Sequence, residues 1–149
     1  ETISVDEFTK LDKWINKRRR NAVFLKKVCD KYPKILRTPS PPKLFTHSYY
    51  KFYTYLNVNG LKDDWNRTKI INEISSKGVP CFEGSCPEIY LESAFKNTGL
   101  RPKKRLPIAK KLGETSILFL VHPTLTKEDL EFMGRIIEEV LEEAAQWLP

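Results

Sequence analysis

Chemistry-bearing residue types crowd most closely in Gly78-Val-Pro-Cys-Phe-Glu-Gly-Ser-Cys-Pro-Glu-Ile-Tyr90, where acids, a serine, two thiols and a tyrosine follow one another. Val79 to Phe82 reads as a short strand, and Gly84 permits a sharp turn. Ser85-Cys-Pro-Glu88 has the spacing of a capping box, in which Ser85 accepts from the backbone of Glu88 and Glu88 reaches back. The stretch is therefore expected to be strand, tight loop and helix, the helix running from Pro87 to about Lys96 with Ile89, Tyr90, Ala94 and Phe95 inward. Such a helix start carries free N–H groups and partial positive charge that suit a phosphate or carboxylate. Taken alone, it implies only that a helix begins there.

The cysteines bear on two further chemistries. Cys86 reads either as a nucleophile, because helix N-termini favour the thiolate, or as an inert, partly buried thiol, since no base adjoins it in the sequence. Zinc is not expected at Cys81 and Cys86, because a structural site wants four ligands in close pairs and His47 and His122 stand apart from the thiols and from each other. Three cysteines make an odd count, which argues against a disulfide framework and for a reducing compartment, read here as the cytoplasm.

These residues must be positioned by a chain of 149 residues, the length of one ordinary domain with its own core, so 1–149 is expected to be a single unit. Its 40% hydrophobic and 30% charged residues suit a soluble globular protein, and no apolar run approaches the roughly 18 residues of a membrane span. Glu1 to Glu7 lack the basic start and apolar stretch of a signal peptide. The only methionine is Met133, so either the start has been processed or the chain is a piece of something longer.

The net charge of +7 is unevenly placed. Lys10 to Lys51 holds thirteen Lys and Arg against Asp12 and Asp30, whereas from Thr126 onward Lys127 and Arg135 face seven acids. The basic residues sit at helical spacings with no nucleic-acid motif beside them. They read as a solvated face or one that meets an acidic partner, and nucleic acid is expected to bind weakly at most. The alternative is a non-enzymatic module holding a polyanion on the basic helix and the Arg101 to Arg105 loop.

In chain order, a long helix is expected from about Ser4, where Ser4-Val-Asp-Glu7 is another capping box, to about Lys31 before Pro33. Its apolar stripe is interrupted by Lys17-Arg-Arg-Arg-Asn21, a pattern that suits packing against two bodies. Thr38-Pro-Ser-Pro-Pro42 enforces an extended link. His47 to Val58 alternates as a strand, with Tyr50, Phe52, Thr54 and Leu56 on one side and Tyr49, Lys51, Tyr53 and Tyr55 on the other. Asp64 or Asn66 caps a helix over Thr68 to Lys77, which Gly78 ends. The central stretch follows, then a short helix around Leu106 to Leu112. Thr115 to Val121 reads as a covered strand that Pro123 ends. A last helix is capped by Thr126 to Asp129 and lined inward by Leu130, Met133, Ile137, Val140, Leu141 and Ala144. The pattern predicts an α+β two-layer sandwich: a small, largely antiparallel sheet with helices on one face.

Leu11-Asp-Lys-Trp-Ile-Asn-Lys-Arg-Arg-Arg-Asn-Ala22, His47-Ser-Tyr-Tyr-Lys-Phe52, Arg67 with Ile71 and Gly78-Val, Gly84-Ser-Cys-Pro-Glu-Ile-Tyr90 and His122-Pro-Thr-Leu-Thr126 resemble successive landmarks in the C-terminal third of the DegT/DnrJ/StrS-type aminotransferases. The resemblance runs nearly end to end. It implies the small domain of a fold-type I enzyme dependent on pyridoxal phosphate, transferring an amino group, commonly from glutamate, to a nucleotide-linked keto-sugar for surface polysaccharides or related amino sugars.

The resemblance also implies that the cofactor's lysine and phosphate cradle belong to a larger N-terminal domain that this sequence does not contain. No lysine here lies in a matching motif, so no catalytic, cofactor-binding or metal-binding residue is expected in this chain. The chain alone is expected to be inactive and to bind no pyridoxal phosphate. Its partners would be the missing large domain, a second subunit and the nucleotide sugar. The residues expected at the substrate are Glu83, Ser85, Cys86 and Tyr90. Cys86 stands where many relatives have histidine, and Phe119-Leu120 where many read Leu-Pro. The first of these departures suits a subgroup with its own substrate, for which Phe82 to Ser85 would be the specificity loop.

Overall fold

Four short strands pair in an antiparallel sheet of order β1-β2-β4-β3, in a computed structural model that describes residues 5–84 and 86–146. They are β1 (Leu36–Arg37), β2 (Phe52–Leu56), β3 (Cys81–Glu83) and β4 (Ser116–Phe119). Four α-helices accompany them: α1 (Val5–Cys29), α2 (Arg67–Ser76), α3 (Pro107–Thr115) and α4 (Lys127–Ala144). The architecture is α+β, as the sequence pattern predicts.

Each long element has a local cause. Thr126 Oγ1 accepts from the Asp129 amide at 3.1 Å, and Asp129 Oδ2 accepts from the Thr126 amide at 2.8 Å, a complete capping box for α4. All six residues expected on its inward stripe are buried. Asn66 caps α2 by accepting from Lys69 N at 2.9 Å, and Gly78, at φ 88°, follows the helix end. The Ser4 capping box lies outside the described residues.

Because β-strand side chains alternate between faces, the pairing of Phe52 with Phe119 and of Thr54 with Ile117 puts these residues on one side of the sheet. There they meet Ala22, Leu25 and Cys29 of α1, Ile70 and Ile74 of α2, and Ile137 and Leu141 of α4 in one buried core. Tyr53 and Tyr55 point the other way, toward α3. The C-terminal half of α1 runs beside α4, tied by Lys31 to Glu138 and by the Tyr32 hydroxyl, which donates to Glu142 Oε1 at 2.9 Å. Residues 8–14 of α1 are exposed throughout, Phe8, Leu11 and Trp14 included.

Three expectations are corrected. The strand foreseen from His47 begins only at Phe52, because Tyr49 adopts φ 50° and the carbonyls of His47 and Tyr50 are taken by α1 arginines instead of a neighbouring strand. The two residues of β1 pair with β2 and were not foreseen. No α-helix spans Pro87 to Lys96: the chain makes 3₁₀ turns at Ile89–Leu91 and Ser93–Phe95, interrupted at Glu92, whose ψ of 152° is extended. Ile89 and Ala94 are exposed, and Tyr90 and Phe95 are half-buried, so the expected inward face does not exist.

Candidate functional site

Two of the segments singled out in the sequence, those of His47 and His122, are tied to α1. Arg18 Nη1 donates to Tyr50 O at 2.9 Å, and Arg19 Nε donates to His47 O at 3.0 Å. Asn21, wholly buried, donates from Nδ2 to His122 O at 2.9 Å. The polar interruption of the helix stripe is thus a set of ties to two loops. Two of the clustered arginines serve the protein's own backbone, which leaves less of that cluster for a polyanion.

The four expected substrate residues are not gathered into one cluster. Glu83, at the end of β3, pairs with Ile117 and so faces the helix layer, where its carboxylate meets Arg67 Nη2 at 3.0 Å. Arg67 also donates to Gly113 O in α3. Ser85 lies outside the described residues. Cys86 is exposed, and its thiol donates to Glu92 Oε1 at 3.1 Å. The hydrogen bond to that carboxylate, with a smaller effect of desolvation, raises the Cys86 pKa. With no α-helix start beneath it, the thiol lacks the field a thiolate nucleophile needs. Cys29 and Cys81 are buried in the core, which pushes each thiol up to about 12.

Tyr90 belongs to a different arrangement. Its hydroxyl donates to Glu88 Oε1 at 2.6 Å and accepts from the Leu106 amide at 2.9 Å. Arg105 grips the same carboxylate with both Nε, at 2.9 Å, and a terminal nitrogen. Arg105 and Tyr90 together hold the Glu88 carboxyl down at about 2, while Glu88 raises the pKa of Arg105. The capping role expected of Glu88 is therefore replaced by an ion pair across 17 residues. In the sequence, Arg105 lies in a basic loop and Glu88 at a capping position. No local spacing rule joins them, and the only available signal was an acid left to face a basic run.

Beside this ion pair, on the sheet face opposite the main helix layer, α3 roofs a groove of about 600 Å³. Tyr53, Tyr55, Ser116, Gly84, Pro87 and Ile108 are among its lining residues. Gly84 sits there because a Cβ would lie 2.2 Å from Ser116 Oγ, the atom that accepts its amide proton at 3.2 Å. The close approach that this glycine permits is to β4. The groove is apolar and aromatic, suited to a ring or a sugar face. It does not fit pyridoxal phosphate: its lining holds no lysine for the aldehyde, and its Ser116 hydroxyl already serves Gly84.

Residues 2–140 match the family model described as the DegT/DnrJ/EryC1/StrS aminotransferase family. Among solved structures, the chain is similar to an aminotransferase from Psychrobacter cryohalolentis, with 44% identity and a TM-score of 0.87 over 91% of this chain and 36% of that one. It is similar in fold to the aminotransferase TlmJ from Streptoalloteichus hindustanus, with 21% identity and a TM-score of 0.71 over 92% of this chain and 34% of that one. The sugar aminotransferase CalS13 from Micromonospora echinospora shares the fold at 14% identity and a TM-score of 0.74, over 92% of this chain and 33% of that one. The chain spans about a third of the length of these relatives. No curated protein matches the sequence.

Proposed function

The chain belongs to the DegT/DnrJ/EryC1/StrS aminotransferase family, and from that premise we propose that it is the C-terminal small domain of a cytoplasmic, pyridoxal phosphate-dependent aminotransferase. The complete enzyme transfers an amino group, from glutamate, to a nucleotide-linked keto-sugar that supplies amino sugars for surface polysaccharides. The observation that carries this reading is the 44% identity to an aminotransferase across nearly all of this chain but little more than a third of that one. The lysine and phosphate cradle then belong to the remaining two-thirds. The complete enzyme is a homodimer. The exposed Phe8, Leu11 and Trp14 on the first half of α1 support its role as the bridge to the large domain.

In this reading the Phe82 to Tyr90 loop faces the substrate, with Glu83, Ser85, Cys86 and Tyr90 as the residues that tell one sugar from another. The test uses the full-length protein: Glu83→Ala and Cys86→His are expected to change the ratio of kcat/KM between two nucleotide sugars more than they change Tm. Unchanged ratios would assign the loop a purely structural role. A second test concerns the cofactor. Mixed with pyridoxal phosphate, the 149-residue chain is expected to give no stable lysine-bound absorbance band, whereas the full-length protein gives one. A band in the short chain that one Lys→Ala change abolishes would overturn the division of labour.

A further inference from the structure

Between Cys86 and Leu106 the chain leaves the sheet and returns with only two 3₁₀ turns of regular structure. Ile89, Leu91 and Leu100 along it are exposed. Its shape cannot come from a core of its own, so it must come from polar stitches. Arg101 supplies one, donating to Leu91 O at 2.6 Å and Glu92 O at 2.8 Å. The stronger one joins the two feet of the excursion: Glu88 on the outgoing foot, Arg105 on the returning foot, and Tyr90 bonded both to that carboxylate and to the Leu106 amide. A fork-to-carboxylate contact fixes orientation as well as distance. Pro87 and Leu106, which adjoin the pair, are themselves lining residues of the groove under α3.

We propose that Glu88, Tyr90 and Arg105 form a clasp that positions the mouth of this groove and the Cys86 to Tyr90 segment, and thereby sets affinity for the nucleotide sugar. This rests on the reading of the chain as a sugar aminotransferase domain. None of the three side chains belongs to the buried apolar core. Loosening them therefore frees the excursion without dismantling the sheet or the main helix layer. Arg105 is a positioning residue: it acts through Glu88 and the backbone beyond it.

The test is made on full-length enzyme carrying Arg105→Lys, Glu88→Gln or Tyr90→Phe, with steady-state kinetics on one nucleotide keto-sugar and amide hydrogen exchange over residues 86–106. Lysine keeps the charge of Arg105 but loses its fork. Arg105→Lys and Glu88→Gln are expected to raise the sugar KM about fivefold or more with kcat within about twofold, the pattern of lost binding rather than lost chemistry. Exchange should quicken across 86–106 and stay unchanged in α4, and Tyr90→Phe should do less of both. Faster exchange with an unchanged KM would overturn the proposal by making the clasp a folding device alone, and unchanged exchange would show that the three groups hold nothing. A wild-type enzyme that aminates no nucleotide keto-sugar fails differently: it removes the functional reading, and the substrate half of this proposal with it.

Discussion

At the residue scale, Glu88 shows how a local pattern yields to a distant charge. Its sequence neighbours offer it a helix to cap, but two Arg105 nitrogens and the Tyr90 hydroxyl offer its carboxylate three donors at once. With its carboxyl at about 2 against the ordinary 4.5, the folded state binds that proton less readily than the unfolded chain. The stability it contributes is therefore present above pH 4.5 and lost as pH falls from there through about 2. Glu88→Gln is expected to remove that part of the acid limb when Tm is followed against pH, and an identical limb in the variant would show that Glu88 is not the group concerned. Gly84 makes the complementary case for shape. Gly84→Ala drives a methyl onto Ser116 and should cost about 1–3 kcal/mol in urea unfolding. Adding Ser116→Ala should recover part of the loss by removing the hydroxyl that lies nearest.

Elements differ in how far the sequence discloses them, and the difference follows from where their stabilising contacts lie. In α4 the cap, the acidic first turn and the inward stripe are all local and agree, so its bounds are readable from spacing alone. Thr126→Ala should cost about 1 kcal/mol by denaturant melt, because the Asp129 amide loses its acceptor. The α2 cap and its glycine stop are legible for the same reason. The strand β1 is not, since two residues carry no period and their pairing with β2 is made across the proline link. Nor is the true start of β2 legible, because the arginines that hold the turn before it come from α1, some 30 residues away. The same limit applies at the site: the stretch that matters can be found by composition, but Pro87 to Lys96 takes 3₁₀ turns because Glu88 and the Leu91 and Glu92 carbonyls are bound by arginines from beyond it.

At the scale of the whole molecule, the chain has a complete core on one side of its sheet and incomplete surfaces elsewhere. The helix layer is closed, whereas residues 8–14 of α1, the 86–106 excursion and the mouth of the α3 groove present apolar side chains to solvent. That imbalance suits a part built against a larger body, in keeping with a length about a third of its relatives'. The acidic face of α4 meets the basic turn that follows α1 through Lys31 and Glu138, so part of the charge asymmetry seen in the sequence is settled within the domain. The most direct measurement supplies the full-length protein with pyridoxal phosphate, glutamate and a nucleotide-linked keto-sugar, and follows both products by mass spectrometry. The full-length protein is expected to yield 2-oxoglutarate and the corresponding nucleotide-linked amino sugar in equal amounts, and the 149-residue chain neither. Formation of both by the short chain, or of neither by the full-length protein across a panel of nucleotide keto-sugars, would contradict it.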